Sequence, residues 1–211
     1  MRTVLLTGFE PFAGDATNPS GDAVNLVADH WTGPENLVMA VLPVTFHGAR
    51  LQLLELIVEH SPDVIIATGL AGGRTGIAVE RVALNLKDAR IPDNSGEQPV
   101  DEPSVRHAPD AHFATLPVKA IAADIMAAGI PASVSYSAGT FVCNHVMFTA
   151  LDGGEPGDRA AGFIHVPYAT ENAPEGQPSL PLSDIAQALR IAIRTSLDTE
   201  VDHSYAAGSI W

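Results

Sequence analysis

Residues 46–69 read FHGARLQLLELIVEHSPDVIIATG, an amphipathic segment followed at once by a short apolar one. In the first part, Leu53, Leu54 and Ile57 share one face of a helix with about 3.6 residues per turn. In the second part, Val64–Thr68 is a continuous apolar run that ends before a glycine, as in a strand buried on both faces. A helix followed directly by a buried strand indicates an α/β protein with a largely parallel sheet.

The same alternation of short apolar runs and amphipathic segments continues on both sides of this stretch. The pattern predicts a mostly parallel open sheet, and because we find no repeat or linker, it predicts one domain over residues 1–211. We expect the tail, residues 198–211, to be mobile or to contact another subunit. The predicted strands are 4–6, 37–44, 64–68, 77–86, 132–136 and 162–166, and the predicted helices start near residue 20 and cover 46–60, 118–128, 141–151 and 183–197.

The composition excludes some classes of function. The chain has 25 acidic and 11 basic residues and a net charge of −14, so it repels phosphate backbones and we predict no nucleic-acid partner. Its one cysteine, Cys143, cannot form an internal disulfide, which is typical of a reducing compartment. The N-terminal apolar run is too short for a signal peptide, and no run approaches the ~20 apolar residues of a membrane span. We therefore predict a cytoplasmic protein without membrane contacts.

Cys143 lies at the start of the predicted helix 141–151, after a turn of small residues, 137–140. We predict that Thr140 caps this helix and places the cysteine near its third position. The helix dipole and the N–H groups of the first turn favour a thiolate there, so we expect a lowered thiol pKa. This position suits a nucleophile, although a buried and inert cysteine is the commoner case.

Glu80 is a carboxylate within the apolar strand predicted at 77–86. Because alternate residues of a strand share a face, Glu80 lies on a face whose other members are apolar. An isolated buried charge is costly, so we expect a partner such as a histidine or an arginine. Two interpretations stay open, a functional pair with a histidine and a structural salt bridge with Arg81, Arg90 or another arginine.

His165 ends the predicted strand 162–166, at the edge where open α/β sheets place ligands and catalytic groups. Together with Cys143 and Glu80 it forms a possible set of nucleophile, base and orienting acid. The histidines and the single cysteine do not cluster at zinc-binding spacings, so we expect no metal site.

Four motifs in the chain resemble those of pyroglutamyl peptidase I, also called pyrrolidone carboxyl peptidase, a family of cysteine peptidases. The resemblance runs from about residue 3 to residue 195 and includes the long polar loop at 89–99. The motifs are TGFEPF (7–12) with NPS (18–20), ERVALN (80–85), SAGTFVCNH (137–145) and GFIHVPY (162–168).

The resemblance implies a three-layer α/β/α sandwich that assembles as a homo-oligomer, a dimer or a tetramer, in the cytoplasm and without cofactors. It implies an exopeptidase that releases N-terminal pyroglutamate from peptides through a thioester with the enzyme. It carries over Cys143 as nucleophile, His165 as general acid and base, and Glu80 as orienting acid. The other implied site residues are Phe9 and Phe12 around the lactam ring, Arg90 near the thiol and the oxyanion, and Asn18, Ile91, Phe141 and Val142 in the pocket.

Two residues depart from the family pattern, and two other functions remain open. Leu70 replaces a glutamine of the glycine-rich turn, and Ala13 replaces the first glycine after Phe12. Without the resemblance, ordinary core packing would be the simpler interpretation of Phe9 and Phe12. The alternatives to a pyroglutamyl peptidase are a thiol amidase acting on other small lactams or amides and a non-catalytic binding relative, for which Leu70 is the only hint.

Overall fold

The computed structural model describes residues 1–153 and 159–208, which form ten strands and five helices. The helices are α1 (Pro19–Asp29), α2 (Phe46–His60), α3 (Val118–Ala127), α4 (Val142–Asp152) and α5 (Leu182–Asp198). The strands are β1 (Thr3–Phe9), β2 (Asn36–Leu42), β3 (Val64–Leu70), β4 (Ile77–Glu80), β5 (Val82–Leu84), β6 (Ala111–Phe113), β7 (Ala132–Ser135), β8 (Ala160–Val166), β9 (Tyr168–Ala169) and β10 (Ser179–Leu180).

A six-stranded sheet in the order β2-β1-β3-β8-β4-β7 is the centre of the fold. Its neighbouring strands are parallel except for β4, which is antiparallel to β8. One apolar core lies between the sheet and helices α1, α3 and α5, and a second lies between the sheet and helices α2 and α4. The predicted α/β/α sandwich around a mostly parallel open sheet is therefore confirmed, and β3 and β8 are buried on both faces as such strands must be.

The prediction of one strand over residues 77–86 is wrong, because the chain changes its pairing partner at Arg81. The Arg81 N–H donates to Ser135 O at 2.7 Å, whereas the Arg81 carbonyl accepts from Ala114 N at 2.9 Å. The chain therefore leaves the central sheet after Glu80, and β5 pairs with β6 in a separate two-stranded sheet. This break places Glu80 at the very end of a central strand.

The chain after α5 folds back onto α3. Helix α3 begins after Pro117, whose side chain provides no cap. Asp202 takes this place, since its Oδ1 accepts the N–H groups of Lys119 at 3.0 Å and Ala120 at 2.9 Å. Asp202, and Tyr205, whose hydroxyl donates to Lys119 O at 3.0 Å, thus tie the first part of the tail to its own chain, whereas 209–211 lie outside the described residues. Among the described helices, none has the length and apolar character that crossing a bilayer requires.

Candidate active site

A cavity of about 470 Å³ opens where β1, β3 and β8 end and α4 begins. Because the carboxyl ends of these parallel strands meet at one edge of the sheet, side chains far apart in sequence converge there. Its wall is apolar and aromatic with a few polar groups, as in most small-molecule sites. The lining residues are Phe9, Phe12, Ala13, Asp15, Thr17, Asn18, Val44, Leu70, Gly72, Arg90, Ala138, Gly139, Thr140, Phe141, Val142, Cys143, His165 and Tyr168.

A hydrogen bond joins Glu80 to His165 beneath this cavity. In the antiparallel pair of β4 and β8, Ala78 lies opposite His165, so Glu80 is a diagonal neighbour of the histidine on the same face. The His165 Nδ1 donates to Glu80 Oε1 at 2.8 Å, and the glutamate side chain is completely buried. Because an ionised carboxylate can only accept, this bond places a proton on Nδ1, so Nε2 is the proton acceptor in the neutral form of the imidazole.

Arg74 shares the carboxylate oxygen that His165 uses. Its Nη2 donates to Glu80 Oε1 at 3.2 Å and to Ser135 Oγ at 3.2 Å. The glutamate thus makes both a histidine pair and an arginine salt bridge, the two alternatives that the sequence left open. The arginine is neither Arg81 nor Arg90 but one from the glycine-rich turn. The sequence contained a signal for this salt bridge, because Arg74 is only six residues before the buried Glu80.

Cys143 is the second residue of α4, and Thr140 does not cap this helix as predicted. The cap position falls to Phe141, and the Thr140 hydroxyl instead donates to the carbonyl of Asp88 at 2.7 Å. The Cys143 thiol lies beside Gly69, where a Cβ atom would come within 2.8 Å of Sγ. Gly69 is also the register partner of His165, so the cysteine and the histidine flank the same glycine.

The predicted lowering of the Cys143 pKa is wrong. The thiol is half-buried against protein atoms, and burial together with the negative charge of Glu80 raises its pKa to about 12. The hydrogen bond from its own backbone N–H acts in the other direction but is outweighed. At neutral pH the resting cysteine is therefore a thiol, and a thiolate has to form by proton transfer during a reaction.

The two predicted ring-binding aromatics have different surroundings. Phe9 is 3% exposed and belongs to the core beneath the cavity, although it also lines the cavity wall. Phe12 is half-buried and packs against Phe141, with 5.3 Å between the ring centroids. The accessible aromatic wall is thus formed by Phe12 and Phe141, with Phe9 behind it.

The remaining predicted residues divide into three kinds. Arg90 and Val142 line the cavity with Cys143. Asn18 also lines it, but its amide is engaged in the loop, donating to Glu10 O at 2.8 Å and accepting from Ser20 N at 3.1 Å. Ile91 is not among the lining residues, because the backbone bends after Arg90 and leaves the Ile91 side chain 40% exposed.

Sequence reasoning missed Tyr168 and Asp15, which line the same cavity. Tyr168 is three residues beyond His165 and ends the GFIHVPY motif, in which the histidine alone had suggested a function. Burial raises the pKa of the Tyr168 phenol, and the charge of Asp15 adds to this shift. The two groups are therefore close enough to interact.

Comparison with known proteins gives a consistent set of relatives. The family model of pyroglutamyl peptidase matches residues 2–199. A pyrrolidone-carboxylate peptidase of Pectobacterium carotovorum is 47% identical with full coverage of both chains, and one of Thermococcus onnurineus is 50% identical over 92% of this chain and 98% of its own. The crystal structure of pyroglutamyl peptidase I from Bacillus amyloliquefaciens superposes with a TM-score of 0.92 at 44% identity, covering 97% of this chain and 99% of that one.

Ala13 is a strained point in the cavity wall. Its φ of 54° lies in the left-handed region, which an L-residue with a Cβ atom adopts at a cost of roughly 1–2 kcal/mol. The next residue, Gly14, also has a positive φ of 88°, so the chain turns tightly between Phe12 and Asp15. The departure from glycine noted in the sequence therefore falls where glycine would fit best.

We expect Ala13→Gly to stabilise the protein by about 1 kcal/mol, because the relief of strain exceeds the extra flexibility of the unfolded chain. For a chain of this length the melting temperature should rise by about 2–4 °C. Differential scanning calorimetry measures this shift. The matched control is Ala16→Gly in the same loop, where φ is not positive and glycine should lower the melting temperature. A lower melting temperature for Ala13→Gly would contradict the assignment of strain.

Proposed function

The chain belongs to the pyroglutamyl peptidase family, and we propose that it hydrolyses the bond after an N-terminal pyroglutamate with Cys143 as the nucleophile. It is a hydrolase of the cysteine-peptidase type. The observation that carries the assignment of roles is the buried hydrogen bond from His165 to Glu80 at the wall of the cavity that also holds Cys143. A non-catalytic binding protein would have no need of a buried charge that orients an imidazole at a thiol.

The mechanism follows from the protonation states. His165 Nε2 accepts the thiol proton as Cys143 Sγ attacks the carbonyl carbon, and Glu80 stabilises the resulting imidazolium. His165 then returns the proton to the leaving amine, which departs and leaves a thioester. Water attacks the thioester with His165 as base, and the thiol is restored as pyroglutamate leaves. The N–H groups of the first turn of α4, with Arg90 nearby, would stabilise the oxyanion.

The cavity suits the chemistry of pyroglutamate. The α-amine of this residue is closed into a neutral lactam. The residue therefore needs a flat apolar slot, and not an acidic side chain that would bind a charged N-terminus. Phe12 and Phe141 supply such a wall, and Leu70 extends it with another apolar side chain. Main-chain polar groups of the wall segment 138–143 would bind the lactam oxygen and nitrogen. Glutamine at position 70 is thus not required for an apolar slot.

We also propose that the enzyme works in the cytoplasm as a homo-oligomer, a dimer or a tetramer. Cys143 is the only cysteine of the chain, and a chain without a disulfide is typical of a reducing compartment, which keeps thiols free. The net charge of −14 supports the absence of nucleic-acid partners and of binding to anionic membranes.

Cys143→Ala and Cys143→Ser should abolish release of pyroglutamate from a pyroglutamyl-coumarin substrate without lowering the melting temperature. Because this thiol is the only one in the chain, iodoacetamide should inactivate the enzyme with one label per subunit. The raised thiol pKa means that the labelling rate should climb about tenfold per pH unit from about pH 6 to about pH 9. A labelling rate that levels off near pH 7 would show a preformed thiolate, and an active Cys143→Ala variant would end the thiol mechanism.

Glu80→Gln should lower kcat by about 10³-fold or more with a much smaller change in KM, since imidazolium stabilisation acts during the chemical step. The matched control is Arg74→Gln, which removes the other partner of the same carboxylate oxygen. It should reduce stability but cost far less activity. Steady-state kinetics and thermal melts of both variants test this, and parallel losses of kcat in the two would favour a purely structural salt bridge.

Phe12→Ala and Phe9→Ala should separate binding from packing. Phe12→Ala should raise KM about tenfold with a smaller loss of melting temperature than a core ring would cause, because Phe12 is a half-buried part of the slot. Phe9→Ala should also cost about 3–5 kcal/mol of folding stability, because that ring is buried in the core. Phe148→Ala, which removes a fully buried core ring outside the cavity lining, is the control that should lower stability with KM unchanged. Unchanged KM in Phe12→Ala would refute the slot.

A further inference from the structure

A second cavity of about 200 Å³ adjoins the active-site cavity. Three residues line both, namely Asp15, Thr17 and Tyr168. The second cavity is completed by Ala16, Pro19, Ala169 and Asn172. The two cavities are therefore adjacent along this shared wall, and Cys143 and His165 line the first of them.

Tyr168 connects the region of His165 with the second cavity. In the proposed mechanism His165 gives a proton to the departing amine, so the chain after pyroglutamate must run past the histidine. Tyr168 comes three residues after His165 along the chain, at the start of β9. Its ring packs against Gly72, where a Cβ atom would come within 3.0 Å of the ring. The tyrosine therefore extends the wall from the histidine toward the second cavity.

Asp15 gives this region its charge. It is an exposed carboxylate on the shared wall, and its charge contributes to the raised pKa of Tyr168. Within residues 1–153 and 159–208, no basic side chain forms an ion pair with it. The other polar groups of the second cavity, on Thr17 and Asn172, can accept hydrogen bonds from a donor. A cationic side chain with a long apolar stem matches this arrangement, because the stem can lie on the Tyr168 ring.

We propose that the second cavity receives the side chain of the residue directly after pyroglutamate, and that Asp15 makes lysine or arginine the preferred residue there. This inference rests on the proposed pyroglutamyl peptidase function. Asp15 contacts the substrate but no reacting atom, so it sets specificity and leaves the chemistry to Cys143, His165 and Glu80. Because an exposed ion pair is weak, the preference over a neutral residue should be about two- to fivefold in kcat/KM at low salt.

The test compares four amidated peptides, pGlu-Lys-Ala, pGlu-Gln-Ala, pGlu-Glu-Ala and pGlu-Ala-Lys, by chromatographic measurement of released pyroglutamate. For the wild-type enzyme we expect kcat/KM to fall in the order Lys, Gln, Glu at the position after pyroglutamate. The ratio for Lys over Gln should shrink toward one as salt is raised, since screening weakens exposed charge pairs. It should also fall to about one in Asp15→Asn, which keeps the shape of the side chain.

Asp22→Asn is the matched control, because Asp22 lies on α1 close in sequence but lines neither cavity. It removes the same amount of charge and should keep the wild-type ratio. Equal rates for the Lys, Gln and Glu peptides would overturn the inference and leave the proposed function intact. The same holds if only pGlu-Ala-Lys, whose lysine lies one residue further from pyroglutamate, is cleaved faster than the others. Failure to cleave any of the four peptides would instead refute the proposed function itself.

Discussion

The buried carboxylate of Glu80 is the constraint on which the arrangement of the site depends. A charge removed from water costs several kcal/mol unless partners compensate it, and here His165 and Arg74 both donate to one oxygen. To bring these partners together, β4 runs antiparallel to β8 in an otherwise parallel sheet and ends at the glutamate. The end of the strand before Arg81 and the position of Arg74 in the glycine-rich turn thus both serve to compensate the charge of Glu80.

The same carboxylate affects the thiol that we propose as the nucleophile. Its negative charge adds to burial in raising the Cys143 pKa, so the resting cysteine is a thiol. In the proposed mechanism Glu80 stabilises the imidazolium only as the thiol proton moves to His165, so its effect falls in the transition state rather than in the resting enzyme. Gly69 permits this geometry, because any larger residue between the cysteine and the histidine would collide with Sγ.

The sequence predicts regular elements well where one physical pattern decides them. Helix α2 has the predicted bounds, since its apolar stripe and its Thr45 cap agree. The sequence-based predictions are wrong at Arg81 and Thr140, where tertiary partners outweigh local preference. Hydrogen bonds with Ser135 and Ala114 end the strand at Arg81. The Thr140 hydroxyl donates to the carbonyl of Asp88 instead of capping α4. The partner of Glu80 could be expected but not identified, because periodicity carries no information on which strand pairs antiparallel. The roles of the site residues came from the resemblance of motifs.

One loop, residues 10–18, carries residues that we propose contact the lactam ring and the next residue of the peptide. It carries Phe12 at the slot and Asp15 at the second cavity, with the strained Ala13 between them. Hydrogen bonds at both ends offset that strain, since Phe9 N donates to Ser20 Oγ and Glu10 Oε1 accepts from Val44 N, each at 3.1 Å. A backbone conformation held against local preference persists only when its surroundings over-determine it. The tight turn at Ala13 thus fixes the spacing of the two recognition groups, so relief of strain at this residue would loosen how the peptide is positioned at the thiol.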